Sequence, residues 1–372
     1  MHILSVVWFK VLPPKYGGQK GTALFNRHLS THVGLTCICS KNNEPGDETG
    51  YTVLPSLPNS KLQFFNPFCW FRITLKAKKI KADAIILEYP YHAIAGILAK
   101  KLLNITYILH EHNIEFARFK HLGKWWWKLL FYYEQWACQH ADLIFFKTKE
   151  DVSTAVALFG LNAKKCCVVP YGIEKYKPPK KETIRQQLQL TGSEKIILFA
   201  GTLDYKPNAE AVVHIFRKLV PELEKSNELF KILICGRLKK KAFQYLKELK
   251  HPHVLFLGEV ENIEPYYSIS DVFINPVLYT GGVQTKIIEA LAFHVAVVAF
   301  HPALAGIETA LAASKIFAVE NEDWQAFACA VQKSFTVKEK IPQPFFDYYN
   351  WNRIAAAAWK KLKLFQNPIT SR

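Results

Sequence analysis

The sequence predicts an α/β protein of two doubly wound, Rossmann-like domains of similar size facing each other across a cleft. Short apolar runs alternate with longer amphipathic ones through the first half. A stretch rich in proline and charge then breaks the pattern, and the same rhythm restarts. Strand and helix in alternation imply parallel sheets covered by helices, and such sheets bind ligands outside the carboxyl ends of their strands.

Taken in order, Ile3–Trp8, Leu35–Cys39, Ala84–Leu87, Thr106–Leu109, Leu143–Phe146 and Cys167–Val169 read as buried strands. Between several of them the apolar spacing predicts helices over Leu24–Thr31, Trp70–Lys79, Ala93–Leu103, Lys124–His140 and Asp151–Phe159. This gives a first domain over 1–172. Residues 173–193, with Lys175-Tyr-Lys-Pro-Pro-Lys-Lys at their centre, have little to bury and read as a linker. The second domain, 194–345, continues with strands Ile196–Ala200, Ile232–Cys235, Val254–Leu257, Val272–Ile274 and Val295–Ala299. Its helices are expected at Ala209–Lys225, Ala242–Leu249, Ile263–Ile269 and from Lys286. A closing C-terminal segment, 346–372, carries an amphipathic helix over Trp351–Phe365.

Composition bounds the partners. The 372 residues include 48 Lys and Arg against 31 Asp and Glu, a formal charge of +17. That excess favours anionic partners: nucleoside diphosphates, acidic lipid surfaces or nucleic acid. No nucleic-acid motif accompanies it, so nucleic acid is not expected. The eight cysteines, with no C-x-x-C pair, fit a reducing compartment without a disulfide framework or zinc site. Met1–Phe9 is too short and too soon interrupted for a signal peptide, and no apolar run is long enough to span a bilayer. The expectation is a cytoplasmic protein, peripheral on the inner face of the plasma membrane.

Gly281-Gly282-Val283-Gln284-Thr285-Lys286-Ile287-Ile288-Glu289 is the most informative stretch. It joins a buried strand to a helix whose apolar face is Ile287, Ile288, Leu291 and Ala292. A glycine turn lets backbone approach a ligand, and a helix start favours an anion. Lys286 adds a cation there, and Glu289, on the same helix face, can accept from sugar hydroxyls. Strand–glycine–helix joints also occur without ligands, and Lys286 with Glu289 would then be a surface pair. Similar joints follow other strands. Gly201-Thr202-Leu-Asp-Tyr-Lys206 and Gly236-Arg237 offer close backbone approach plus a cation, and Gly17-Gly18-Gln-Lys20 offers a loop for a diphosphate or acceptor.

His110-Glu111-His112-Asn113 ends another strand with polar residues unsuited to packing there. Neighbours along a strand point to opposite sides, and no third ligand has metal-like spacing, so no metal is expected. His112 is the better candidate for contacting or orienting a substrate; a buried, hydrogen-bonded histidine is the alternative. Lys120–Tyr133, with three adjacent tryptophans among lysines, suits peripheral contact with an anionic membrane. Its alternative is a helix with one face in the first domain's core.

On these residues the chain resembles glycosyltransferase family 4. The likeness spans nearly the full length. It rests on Gly281–Leu291, Gly201-Thr-Leu-Asp-Tyr-Lys-Pro-Asn208, Val254–Pro276, Glu111–Glu115 and Val169-Pro-Tyr-Gly-Ile-Glu174. The resemblance implies the GT-B fold and retaining, metal-independent transfer from a nucleotide sugar to a lipid-linked or saccharide acceptor, with no cofactor. Surface polysaccharide, lipopolysaccharide or glycolipid assembly is the implied setting. It assigns Glu289 to the ribose hydroxyls, Lys286 with the amides of Gly282 and Val283 to the departing diphosphate, and His112 to the sugar. It also places Gly17 and Gly18 near the diphosphate and acceptor. Gly281 stands where the family has a glutamate, Thr202 where it often has arginine, and Pro207 where it often has lysine, with Lys206 one residue earlier. These departures resemble a subfamily whose donor motif starts Gly-Gly, and they also motivate a non-catalytic nucleotide-sugar-binding or scaffold protein as the alternative.

Overall fold

The structure, a computed structural model, describes residues 1–46, 49–174, 181–190, 192–279 and 281–366. The chain divides into two compact units: Met1–Gly172 together with Tyr348 onward, and Ile173–Asp347.

The first unit is a seven-stranded sheet. Its strands are β1 (His2–Val7), β2 (Gly34–Ser40), β3 (Thr52–Leu57), β4 (Ala84–Glu88), β5 (Thr106–His110), β6 (Leu143–Phe146) and β7 (Cys166–Val168), in the order β3-β2-β1-β4-β5-β6-β7. All pairings are parallel. Its helices are α1 (Gly17–Leu29), α2 (Pro67–Lys79), α3 (Ala93–Leu103), α4 (Glu115–His121), α5 (Trp127–His140) and α6 (Lys149–Phe159). Alternation sorts the strands cleanly. Leu4, Val6, Ile85, Leu87, Tyr107 and Leu109 share one core with Ile73 of α2, Ile97 of α3 and Leu130 of α5. These helices therefore cover one face. On the other, Phe25 of α1 packs 4.9 Å from the His110 ring.

The second unit comprises α7 (Lys181–Gln187), β8 (Lys195–Ala200), α8 (Lys206–His214), α9 (Val220–Leu223), β9 (Phe230–Cys235), β10 (Val254–Gly258), α10 (Glu264–Ile269), β11 (Val272–Asn275), α11 (Thr285–Ala292), β12 (Ala296–Phe300), β13 (Ile316–Val319), α12 (Trp324–Ser334) and α13 (Gln343–Tyr348). Its six parallel strands run β10-β9-β8-β11-β12-β13. The last helix, α14 (Trp351–Gln366), returns to the first unit. There Trp351 fills the space a Cβ on Gly172 would need, which leaves 2.4 Å to its ring.

Several local expectations are corrected. The helix expected over Lys124–His140 starts three residues later, as α5, and a separate helix not expected from sequence, α4, precedes it; the turn between them contains Gly123 at φ +67°. The helix over Ala209–Lys225 carries a wide turn at Ile215–Leu219, just before Pro221, whose missing N–H cannot serve the regular ladder. Ala242–Leu249 is a 3₁₀ helix, Lys241–Glu248. Gly17 and Gly18 are the first turn of α1 rather than a loop before it, and Gln19 Oε1 reaches back to the amides of Lys15 and Tyr16 at 2.9 and 3.2 Å. Of the segment read as a linker, 175–180 and 191 lie outside the described residues, and Lys181–Gln187 forms α7.

Candidate active site

In each sheet the strand order reverses beside the first strand of the unit: between β1 and β4, and between β8 and β11. The residues singled out from sequence follow the carboxyl ends of these strands and of their neighbours β5 and β9, where open α/β sheets bind ligands.

In the second unit, β8 and β9 end on Gly201 and Gly236. A Cβ on Gly236 would lie 1.9 Å from the Gly201 carbonyl oxygen, so this approach admits only glycine. The chain then turns through Thr202, whose carbonyl accepts from Asn208 Nδ2 at 3.0 Å. Asn208, in the first turn of α8, turns its Oδ1 to Lys286 Nζ at 3.2 Å. That bond ties the β8 turn to the start of α11. The Lys286 ammonium also lies 5.0 Å from the centre of the Phe199 ring. Burial pulls its pKa down to about 7, and no carboxylate pairs with it among the described residues. A cation desolvated without a counter-charge is costly and gains from an anion.

Around it the backbone is shaped by Gly281 and Gly282. Gly282 sits at φ +148°, which side-chain-bearing residues rarely adopt. Gln284 Nε2 donates to the Gly282 carbonyl at 3.2 Å, and Thr285 N donates to Val283 O at 3.1 Å. Tyr267, buried, directs its hydroxyl to Lys286 O at 3.2 Å and Glu289 Oε2 at 3.4 Å, fixing the exposed side of α11. The apolar side is Ile287, Ile288, Ala290 and Leu291, with Ala290 in place of the expected Ala292.

The other cations are committed elsewhere. Arg237 Nε donates to Asp204 at 3.0 Å, and Asp204 also accepts from the amides of Lys239 and Lys240 at 2.8 and 2.7 Å. Burial opposes the charge on Asp204, yet these donors hold its pKa below the usual carboxylate range. Lys206 is exposed and reaches Glu210 at 3.6 Å. Asn275, fully buried at the end of β11, leaves both amide atoms without a protein partner.

In the first unit the register sets Glu88 beside His110. Glu88 takes His110 Nδ1 at 3.2 Å and His112 Nε2 at 2.5 Å, and Lys147 Nζ lies 2.7 Å from His110 Nε2. Glu88, His110 and Lys147 are all buried. Burial drives His110 down to about 3 and Lys147 to about 8. Burial would raise Glu88, but the two imidazoles beside it hold it far below the usual range. Burial, then the Lys147 charge, also lowers His112. The protonation pattern follows: an ionised Glu88 accepts from two neutral imidazoles, and Lys147 donates to His110. His112 thus carries its proton on Nε2 and offers Nδ1 as an acceptor.

Ligand atoms of Glu88, His110 and His112 lie within 4.8 Å of one another, a set that could hold a metal. The third member, Glu88, comes from a neighbouring strand and was invisible to spacing. The Lys147 ammonium against His110 opposes a further cation there. Glu111 points away and is buried with its pKa raised by desolvation and then by Glu134 and Glu115. Tyr89 stacks on His112 with ring centres 4.6 Å apart and holds φ +69° and ψ 163°, a region that costs a side-chain-bearing residue about 1–3 kcal/mol. The sequence singles out neither Glu88, Lys147 nor Tyr89, and Asn208 and Tyr267, although they fall in the stretches that carry the family resemblance, receive no role from it.

Of Lys120–Tyr133, Trp126 and Trp127 pack on the first unit's core, while Trp125, Leu129 and Tyr132 are exposed. The core reading accounts for Trp126 and Trp127, and Trp125, Leu129 and Tyr132 face away from that core. No described helix is long and apolar enough to cross a membrane.

Two parallel sheets with glycine turns after their strands define the GT-B class, and solved structures of that fold match along nearly the whole chain. A glycosyltransferase from Rickettsia africae ESF-5 matches with TM-score 0.75 and 17% identity over 99% of both chains. Sucrose-phosphate synthase from Thermosynechococcus elongatus matches with TM-score 0.78 and 16% identity, over 98% of this chain and 99% of that one. HepE of Anabaena, solved with UDP, matches with TM-score 0.74 and 16% identity over 98% and 100%. Residues 23–175 match the model of Glycosyltransferase Family 4, and residues 194–336 that of Glycosyl transferases group 1. The chain belongs to the family-4 glycosyltransferases. No curated relative matches its sequence.

Proposed function

We propose that this protein transfers a sugar, with retention and without a metal, from a nucleoside diphosphate sugar to a lipid-linked or saccharide acceptor in surface polysaccharide, lipopolysaccharide or glycolipid assembly. The second unit serves the donor and the first the acceptor, at the cytoplasmic face of the membrane, with Lys120–Tyr133 in peripheral contact. The observation that carries this reading is Lys286: a half-buried ammonium at the start of α11, held by Asn208 and with no carboxylate partner among the described residues. The bond between the anomeric carbon and the diphosphate oxygen breaks with its electron pair going to the diphosphate, while the acceptor hydroxyl oxygen bonds to that carbon on the same face and its proton passes to the departing diphosphate. Lys286 and the Gly282–Val283 backbone stabilise that charge, and donors already in place where charge develops are usually what lowers such a barrier most. Glu289 accepts from the ribose hydroxyls, and His112, through Nδ1, from a sugar hydroxyl. The UDP-glucose complex of Anabaena HepE supports the donor class.

The test is turnover of a panel of UDP- and GDP-sugars by purified protein, with the anomeric configuration of the product read by NMR. Lys286→Ala and Glu289→Ala should each lower nucleotide release by about a hundredfold. Unchanged release in both removes this site. Saturable donor binding without release by the wild type assigns the chain to the non-catalytic alternative.

A further inference from the structure

The outer face of α2 is apolar where solvent should meet it. Phe68 (84% exposed), Phe71 and Leu75 form one stripe at helical spacing, and Leu62 and Phe65 (78% exposed) extend it from the 3₁₀ turn Lys61–Phe65. The opposite side of α2 is already used, since Cys69, Ile73 and Ala77 are buried in the core. Large apolar side chains exposed together mark an interaction surface.

The charge around this stripe is of one sign. Residues 49–82 contain Lys61, Arg72, Lys76, Lys78, Lys79 and Lys81 and no Asp or Glu. Residues 116–133 likewise contain Arg118, Lys120, Lys124 and Lys128 and no acidic residue. Helices α2 and α5 cover the same sheet face, so Trp125, Leu129 and Tyr132 form a second stripe on that side. Lys120 and Lys128 lie over the Trp127 ring at 4.9 and 5.8 Å. Rings with cations above them, on two segments without a carboxylate, complement the headgroup layer of an anionic bilayer.

The surface also reaches the candidate histidine. Phe64, next to Phe65, stacks on Tyr91 at 4.8 Å; Tyr91 lies 6.2 Å from Tyr89, and Tyr89 stacks on His112. We infer that the 3₁₀ turn and α2 form the main membrane-docking face of this protein, seating Leu62, Phe65, Phe68, Phe71 and Leu75 among anionic phospholipids beside the aromatic path to His112. The inference rests on the proposed membrane-borne acceptor and deepens it by naming the surface that meets the bilayer.

The test is co-sedimentation of the full chain with vesicles of phosphatidylcholine alone or mixed with phosphatidylglycerol. Wild type should bind the anionic vesicles and release at high salt. Phe65→Ser/Phe68→Ser/Phe71→Ser and, separately, Arg72→Glu/Lys76→Glu/Lys79→Glu should each bind at least about tenfold more weakly. Nucleotide release from the donor, without lipid, should be unchanged in both, which separates this surface from the donor site. Wild-type indifference to anionic vesicles, or full binding by the serine variant, overturns the inference. So does conversion of a wild-type dimer to monomer by the serine variant without any vesicle binding, which would make the face a self-interface.

Discussion

His112 Nε2 lies 2.5 Å from a Glu88 carboxylate oxygen, and the same carboxylate receives His110. One buried anion therefore fixes the tautomer of both imidazoles and leaves His112 Nδ1 as the acceptor. Glu88→Gln keeps the volume and loses the charge. It should lower kcat about 10- to 100-fold with little change in donor KM. The acid limb of the kcat profile should move to lower pH, since Glu88 no longer favours the imidazolium. An unaltered pH profile would mean that Glu88 is only structural.

The His110 imidazole makes the first unit acid-sensitive. Its pKa drops from 6.5 to about 3 on folding, so the unfolded chain binds more protons between these values. Stability should rise with pH across that window, by up to about 1.4 kcal/mol per pH unit for one group. Urea titrations of wild type and His110→Asn from pH 4 to 7 check this, and the variant should show the shallower slope.

Lys286 costs stability that ligand binding recovers. Lys286→Met should raise unfolding free energy at pH 7 by about 1–2 kcal/mol while abolishing donor binding. In wild type, donor KM should climb as pH rises through about 7, because the free ammonium deprotonates there and the diphosphate binds the protonated form. Calorimetric melting and the pH dependence of donor KM provide the two readings.

Gly18 faces open space, with no atom within 4 Å of where a Cβ would sit. Gly18→Ala should fold and gain up to about 1 kcal/mol from helix propensity. Transfer should still fall tenfold or more if diphosphate or acceptor approaches that turn; thermal melting and turnover together decide it.

The architecture was largely legible because nearly every inner strand is a continuous apolar run, the pattern of sheets buried on both faces. Two of the four edge strands escaped: β3 contains Pro55 and is half-exposed, and β13 is four residues long. The Gly281–Lys286 turn was legible because glycine and lysine stand together in sequence. The Glu88–His110–Lys147 network was not, because it arises from the register of β4, β5 and β6, which no local spacing encodes. The α2 surface was hidden for a related reason. Spacing gives Phe68, Phe71 and Leu75 no preference over Ile73 and Ala77 for the core, and it is Ile73 and Ala77 that the structure buries there.

Everything proposed for the donor side depends on the Lys286 ammonium holding a nucleoside diphosphate. Titration calorimetry of UDP and GDP against wild type and Lys286→Met at pH 6.5 and 8.5 decides this. Wild type should bind, more weakly and with proton uptake at the higher pH, and the variant should lose at least about a hundredfold in affinity. Equal affinity in both proteins, with no dependence on pH, would contradict it.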